Sequence, residues 1–273
     1  MKRPGSAFFV NAALVFGAVL TLFPLLWMIS VSFMPTGAAS RYPPPLLPDS
    51  PTLDNYRTLF ANHSAGRYML NSALIASIAT LISLVTNTMA GYAFAKLRFP
   101  GREKLFRALL GALVIPGQVA MIPLFALVKE MGLVSTYGGV LVPYMASIFG
   151  IFLIRQYAMS LPDELLEAAR IDGASEARIF WSLVVPLLKP ILVTLAILTF
   201  LATWNDFMWP LIVLTEQTLH TLPVALAGLS REHVQDNELM MAGAVITVVP
   251  VLLLFLALQR YYIAGILAGG VKG

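Results

Sequence analysis

The sequence of 273 residues contains no cysteine. This absence excludes disulfide bonds, a thiol nucleophile and any metal site that depends on thiolate ligands. The sequence also lacks the pattern G-x-x-x-x-G-K-[S/T], in which backbone amides and a lysine hold the phosphates of a nucleotide. The chain therefore has no phosphate-binding loop of this kind, and ATP chemistry would have to come from another protein.

Charged residues are scarce as well. They make up 12% of the chain, whereas hydrophobic residues make up 58% and the mean hydropathy is +0.80. A soluble domain usually carries about 25% charged residues, so this chain has too few to cover a surface in water. The net charge of +4 would favour nucleic acid as a partner of a soluble protein. Here the basic residues cluster at the ends of apolar runs, which fits a membrane protein without a nucleic-acid partner.

Apolar runs are abundant, and each is long enough to cross the hydrocarbon core, which takes roughly 20 residues. Together they predict an all-α, polytopic protein whose single transmembrane domain covers residues 1–273. Buried core helices of a large soluble protein are the alternative, but almost nothing would be left to cover them. The six predicted spans are residues 8–33, 68–95, 108–128, 136–156, 190–214 and 239–259.

Lysine and arginine are distributed unevenly between the two sides of these spans. Arg41, Arg57, Arg67, Lys129 and Arg231 fall on one side, and the other 13 of the 18 basic residues fall on the opposite side. The positive-inside rule places the side with more lysine and arginine, together with both termini, in the cytoplasm. The chain is therefore expected to be a multi-pass protein of the inner cell membrane. Lys2 and Arg3 before an apolar run also occur in signal peptides, but this run is too long and predicts a membrane anchor. The richer side comprises Lys2, Arg3, Lys96, Arg98, Arg102, Lys104, Arg107, Arg155, Arg170, Arg178, Lys189, Arg260 and Lys272.

The longest predicted cytoplasmic loop covers residues 160–187. Pro162–Gly173 within it predicts an amphipathic helix with Ser160 as its N-cap and acidic residues in its first turn, where the helix dipole favours them. Gly173 predicts a sharp end to that helix, and Ser175–Val184 predicts a second helix. A helix, a glycine turn and another helix form a compact knob that can dock into a partner.

This loop also carries a recognisable motif. Glu167-Ala-Ala-Arg-Ile-Asp-Gly173, followed by Pro186, resembles the EAA loop of ABC importer permeases. Residues 161–174, Thr203–Pro210 and Gln259–Gly273 are similar to segments of the carbohydrate-uptake branch, closest to the maltose-type and glycerol-3-phosphate-type permeases. The resemblance covers nearly the whole chain. The sequence departs from the family pattern conservatively at 183–186, and at Gly270, where many relatives have alanine.

The resemblance implies a type I importer permease that is not itself an enzyme and binds no cofactor or metal. It implies a second homologous permease, two ATPase subunits that hold ATP and magnesium, and an external solute-binding protein facing residues 216–238. Membrane lipid surrounds the spans, and the expected cargo is a sugar or a sugar-like polyol phosphate. The residues implied in coupling to the ATPase are Glu164, Glu167, Ala168, Ala169, Asp172, Gly173 and Pro186.

Polar residues within spans are the candidates for a translocation pathway. Asn71, Asn205 and Asp206 are the chosen candidates, because a carboxylate or amide in a membrane needs a polar partner or water. For Asn71 the alternative is a hydrogen bond between helices. For Asp206 the alternative is a place near the external end of the span, with Trp204 and Trp209 as interfacial aromatics. The three histidines, His63, His220 and His233, are expected in external loops without metal.

Other functional classes fit the residues less well. A secondary transporter predicts internal repeats and charged or broken helices at the midplane, and the sequence shows no repeat. An intramembrane enzyme needs a nucleophile, metal ligands or an acid–base pair at membrane depth, and no such grouping stands out. Within the ABC class, a permease for amino acids or osmolytes is the alternative, against which the segments at Thr203–Pro210 and Gln259–Gly273 argue.

Overall fold

A computed structural model describes residues 4–232 and 236–270, with side-chain surroundings for 8–229, 236–257 and 259. His233 and the final residues of the C-terminal segment, 271–273, lie outside the described part of the chain. Within it, every regular element is a helix, which confirms the predicted all-α class. The α-helices are α1 (Pro4–Ser32), α2 (Asp54–Ala61), α3 (Ala65–Lys96), α4 (Arg102–Ala112), α5 (Gly117–Glu130), α6 (Tyr137–Leu141), α7 (Ile148–Ala158), α8 (Asp163–Ile171), α9 (Glu176–Ile179), α10 (Val185–Leu187), α11 (Lys189–Trp204), α12 (Met208–Val213), α13 (Leu222–Glu232) and α14 (Asn237–Gly270).

Three helices are long and apolar enough to cross a membrane unaided. They are α1 over Phe8–Ser32, α3 over Ala65–Lys96, and α14 over Asn237–Ala257. Each contains an unbroken apolar stretch longer than the roughly 20 residues that a bilayer requires. Pro24 and Pro250 lie inside α1 and α14 without ending them.

The other apolar runs, each predicted as one span, form bent pairs of helices. The angle is 106° between α4 and α5, 42° between the helix at Tyr137–Tyr144 and α7, and 78° between Glu176–Leu187 and α11. Counting each pair as one span gives up to six spans in the described chain. A proline lies at each bend, namely Pro116, Pro143 and Pro190. Because proline cannot donate a backbone hydrogen bond, it weakens the helix at these positions.

The chain divides into two compact units. The first contains residues 1–67 and 222–250. In it, the segment after α1 folds back through the Asn55 amide, which donates to the carbonyl oxygens of Ser32 and Met34 at 2.9 and 2.8 Å. Glu238, fully buried at the start of α14, accepts the backbone N–H of Ala39 at 2.6 Å. These bonds fix the fold of the predicted external segment that contains α2.

The second unit, residues 68–221 and 251–273, is built on α3. Ser72, Ala76 and Thr80 lie one turn apart on α3 and are all buried, so these small side chains form a packing face. Further along, Gly91 brings α3 so close to α7 that a Cβ there would lie 2.6 Å from Ile154. This contact places the cytoplasmic end of α3, as assigned from the sequence, beside the predicted coupling loop.

Candidate functional site

The motif of the predicted coupling loop lies on α8 and the turn that follows. Leu166 anchors α8, since it is 2% exposed and packs in a cluster with Ile154, Ile179 and Leu188. The same cluster includes Ile191 of α11. A displacement of α8 is therefore resisted by the helix that leads into the fifth predicted span, because close-packed interiors transmit strain.

Lys96 ties the end of α3 to the beginning of α8. Its ammonium group donates to the Leu161 carbonyl oxygen and to Asp163 Oδ1, each at 2.6 Å. The Lys96 side chain is only 6% exposed, although Asp163 is 73% exposed. The hydrogen bond and positive charge of Lys96 lower the pKa of the Asp163 carboxyl below its usual range. No local sequence pattern indicates this pair, because 67 residues separate its members.

A second ion pair closes the far end of α8. Arg170 Nε donates to Glu176 Oε1 at 2.6 Å, and its Nη2 donates to Oε2 at 3.4 Å. The Tyr92 hydroxyl of α3 also donates to Glu176 Oε2, at 3.4 Å. The hydrogen bond from Arg170 lowers the pKa of the Glu176 carboxyl. Both ends of α8 are thus fastened near the last two turns of α3.

The turn after α8 forms as its residues predict. Gly173 has φ of +81°, a conformation that side chains with a Cβ rarely adopt, and its N–H donates to Arg170 O at 3.0 Å. Ser175 then caps α9 by accepting the N–H of Arg178. The expectation that Ser160 caps α8 is wrong, since the Ser160 hydroxyl donates to Tyr157 O and Pro162 holds the N-cap position.

The outward face of α8 has no cover within the described chain. Glu164, Leu165, Ala168 and Ile171 recur at helical spacing on this face and are exposed, with Ile171 at 86%. Leu165, Ala168 and Ile171 together form an exposed apolar patch, which makes this face the candidate interaction surface. The predicted coupling residues Glu164 and Ala168 lie on this face, together with Leu165 and Ile171, which the motif alone did not single out.

The remaining predicted coupling residues are distributed around the knob. Glu167 lines a cleft of about 640 Å³ beside Lys96 and Arg170. Ala169 is half-buried against the core cluster, and Asp172 is exposed at the C-cap of α8. Pro186 lies apart from them in α10, where it is exposed.

A π-helical turn precedes Pro186. It covers Phe180–Val184, where the predicted second helix was a plain α-helix, and the N–H of Val185 bonds back to Phe180 O. Such turns hold one residue more than an α-helical turn and are frequent at functional sites. The wide turn and the 78° bend at Leu188 set the angle between the knob and α11.

Two of the predicted pathway residues lie at a break in a predicted span. Asn205 and Asp206 separate α11 from α12, and Asp206 accepts the hydroxyl proton of Tyr144 in a hydrogen bond. Tyr144 belongs to the bend before α7, so two interrupted spans meet through this pair. Trp204 and Trp209 are both 3% exposed, so both indole rings pack within the chain beside this break.

Asn71 is engaged within the chain. Its amide nitrogen donates to the carbonyl oxygens of Thr218 and His220 at 3.0 and 2.9 Å, and its oxygen accepts from the Tyr137 hydroxyl at 2.8 Å. These are the helix-to-helix and helix-to-loop bonds that the alternative for Asn71 predicted. No group of three or more metal-ligating side chains occurs among the residues that the structure describes.

Comparison with known proteins identifies the family of this chain. The model of the family described as "binding-protein-dependent transport system inner membrane component" matches residues 88–267. The chain belongs to this family. The matched region begins in α3 and includes α8 and α9.

Curated relatives cover essentially the whole permease. The arabinooligosaccharide transport permease AraQ of Halalkalibacterium halodurans is 40% identical, with 100% of both chains covered. The sn-glycerol-3-phosphate transport permease UgpE of Salmonella typhi is 33% identical over 97% of each chain. The lactose transport permease LacG of Rhizobium radiobacter is 32% identical over 96% of this chain and 94% of its own.

Solved structures share the fold. A chain of a bacterial ABC transporter involved in the import of the acidic polysaccharide alginate superposes with a TM-score of 0.84, at 24% identity over 96% of this permease and 99% of that chain. The bacterial alginate transporter in complex with an alginate pentasaccharide-bound periplasmic protein gives 0.64 at 15% identity, over 94% and 96% of the two chains. The importer permease fold expected from the sequence is therefore confirmed.

Proposed function

We propose that this permease imports a sugar or oligosaccharide and that α8 couples it to ATP hydrolysis on separate ATPase subunits. The observation that carries the coupling role is the exposed face of Glu164, Leu165, Ala168 and Ile171 on a helix fastened at both ends. An exposed apolar face on a rigidly held helix fits a groove on a partner. The motif residues Glu167, Asp172, Gly173 and Pro186 shape and orient this knob.

The coupling would proceed through α3 and α11. When ATP draws two ATPase subunits together, the docked α8 moves with them. Lys96 and Tyr92 connect that movement to α3, and the cluster around Leu166 connects it to α11. The spans then alternate between inward-facing and outward-facing arrangements, as two-state packed elements do. The other permease subunit, and an external binding protein facing residues 216–238, complete the assembly.

The relatives and the broken spans together support a neutral, hydroxyl-rich solute. Two of the relatives named above transport arabinooligosaccharides and lactose. We assign the break at Asn205 and Asp206, with Tyr144, to the pathway, since interrupted membrane helices line solute sites in transporters. Amide, carboxylate and hydroxyl groups suit sugar hydroxyls. Asn71 holds α3 and the neighbouring loop in place rather than contacting the solute.

A polyol phosphate is the second candidate, because the relative UgpE is named for sn-glycerol-3-phosphate. The sequence around the break favours the neutral sugar. No lysine or arginine occurs from 190 to 230, or from 130 to 154, so these spans offer a carboxylate and no cation to a phosphate.

The test is to purify the tagged chain gently from its native membrane and to identify its companions by mass spectrometry. We expect an ATPase, a second permease and a solute-binding protein, and ATP-dependent uptake when the complex is placed in liposomes. The isolated binding protein is then screened against oligosaccharides, glycerol-3-phosphate and amino acids. A chain that purifies alone and transports without ATP overturns the coupling proposal, whereas a binding protein for phosphates or amino acids overturns only the sugar assignment.

A further inference from the structure

A strongly basic segment joins α3 to α4, and ATPase docking does not account for it. Residues 97–107, which include the first residues of α4, are called the basic turn. They line an open cleft of about 490 Å³. The residues that line the cleft are Arg98, Phe99, Gly101, Arg102, Glu103, Lys104 and Arg107.

Glu103 is the one acidic residue of the basic turn, and its charge is already balanced. Arg102 Nη2 lies 3.3 Å and Arg155 Nη2 lies 3.5 Å from the same oxygen, Glu103 Oε1. Arg155 is held there because its guanidinium also stacks 4.0 Å above the ring of Phe106. The positive charges of Lys104 and Arg107 are consequently left without an acid within the basic turn. Arg98 also has none within the turn, but it lines a cleft with Asp163 and Glu167 of α8.

The length of α3 places these cations at the level of lipid headgroups. Tyr68 to Lys96 is one continuous helix, which at 1.5 Å per residue measures about 42 Å. A bilayer with its headgroup layers is about 40–45 Å thick. With Tyr68 at one interface, where tyrosine is enriched, the basic turn begins in the opposite headgroup layer.

Apolar side chains accompany the cations. Phe99 is 37% and Leu105 is 52% exposed, next to a buried aromatic pair of Phe94 and Phe106. Since α4 is turned 106° from α5, only one of these helices can run close to the membrane normal. A helix suits the boundary between headgroups and acyl chains when it is not aligned with the membrane normal and carries both exposed cations and exposed apolar residues.

We propose that the basic turn binds the phosphate of an anionic phospholipid through Arg98, Lys104 and Arg107, with Phe99 and Leu105 against the acyl chains. Arginine and lysine are the side chains that bind phosphate best in proteins. The exposed apolar pair favours lipid over an acidic protein surface, which would leave it in water. This inference requires that α3 spans the membrane, but it does not depend on the docking role of α8.

The test compares the purified permease complex in nanodiscs of phosphatidylglycerol and phosphatidylcholine, with retained lipid counted by native mass spectrometry. The combined variant Arg98→Gln, Lys104→Gln and Arg107→Gln is expected to lose the preference for phosphatidylglycerol. Each cation at an anionic surface contributes about five-fold in affinity, so the loss is on the order of 100-fold. The matched control is Arg41→Gln, Arg57→Gln and Lys129→Gln, which removes the same charge from exposed sites on the opposite side and should retain the preference.

A second variant separates binding from membrane orientation, which also responds to basic residues. Arg98→Lys, Lys104→Arg and Arg107→Lys keeps every charge and is expected to bind phosphatidylglycerol as the natural chain does. Equal retention by the glutamine variant overturns the proposal. So does competition by millimolar inorganic phosphate, which would show a free-anion site. Loss of the ATPase with unchanged lipid retention would show instead that the turn binds an acidic protein surface.

Discussion

At the residue scale, Gly173 and Gly132, both in the second unit, have the same backbone conformation and the same type of hydrogen bond. Gly132 has φ of +69°, and its N–H donates to Lys129 O at 3.0 Å, as the N–H of Gly173 does to Arg170 O. Neither glycine has a neighbouring atom within 4 Å of a built Cβ. The two positions are therefore alike in conformation and hydrogen bonding and differ in whether they shape α8.

Substitution of both glycines tests the docking role of the turn. Proline cannot adopt positive φ and has no N–H, so Gly173→Pro and Gly132→Pro impose the same local damage. We expect Gly173→Pro to abolish ATPase stimulation by the loaded binding protein, measured per inserted complex in liposomes. Gly132→Pro should retain most of it at a similar loss of thermal stability. Equal loss in both variants would assign the effect to folding and not to docking.

At the scale of elements, α8 depends on α3 through one nearly buried lysine. Asp163 is well solvated, so its carboxylate tolerates the loss of its partner. Removal of the Lys96 ammonium group is less well tolerated, because it leaves the Leu161 carbonyl oxygen without this hydrogen-bond donor. The pair thus serves to hold α8 in place more than to stabilise the fold, as surface ion pairs contribute little stability.

Reversal of this pair tests whether α3 carries the coupling. Lys96→Gln is expected to uncouple the transporter, so that ATP hydrolysis continues while solute moved per ATP falls several-fold. Lys96→Asp combined with Asp163→Lys should recover part of that ratio, because the attraction between the helix ends returns. Lys189→Gln, an exposed change at the start of α11, is the control. A Lys96→Gln complex with normal solute moved per ATP would show that α3 does not transmit the motion.

The accuracy of the sequence-based prediction also differs between elements. The glycine turn after α8 and the start of α9 near Ser175 were predicted well because both are local signals, although the N-cap of α8 was not. Which proline breaks a span could not be predicted, since prolines occur both at breaks and inside the intact α1, α5 and α14. Contacts with α3 satisfy the backbone at the bend before α7, where the Asn87 oxygen accepts the Ser147 N–H at 2.9 Å. Such partners, 60 residues apart, leave no periodic pattern in a sequence.

At the scale of the whole molecule, the absence of cysteine makes every interface addressable by a single engineered thiol. Ile171→Cys, on the outward face of α8, is expected to cross-link to the ATPase subunit in membranes when its thiol is labelled with a maleimide that carries a photoreactive diazirine. Leu47→Cys is a matched control, because Leu47 is also strongly exposed, at 74%, but lies in the predicted external segment. A Leu47 cross-link to the ATPase, or none from Ile171 in an active complex, would contradict the proposed docking face.

The first helix bears on how the complex is made. The apolar window of α1 within Phe8–Ser32 is 0% buried by the rest of the chain. This helix precedes the other described spans along the chain, so it is synthesised before them. Lipid or a second permease subunit can therefore bind the exposed sides of α1 while the later spans are still being translated. The supply of that second subunit, and the order in which the two messages are read, would then decide how much of this chain reaches an assembled transporter.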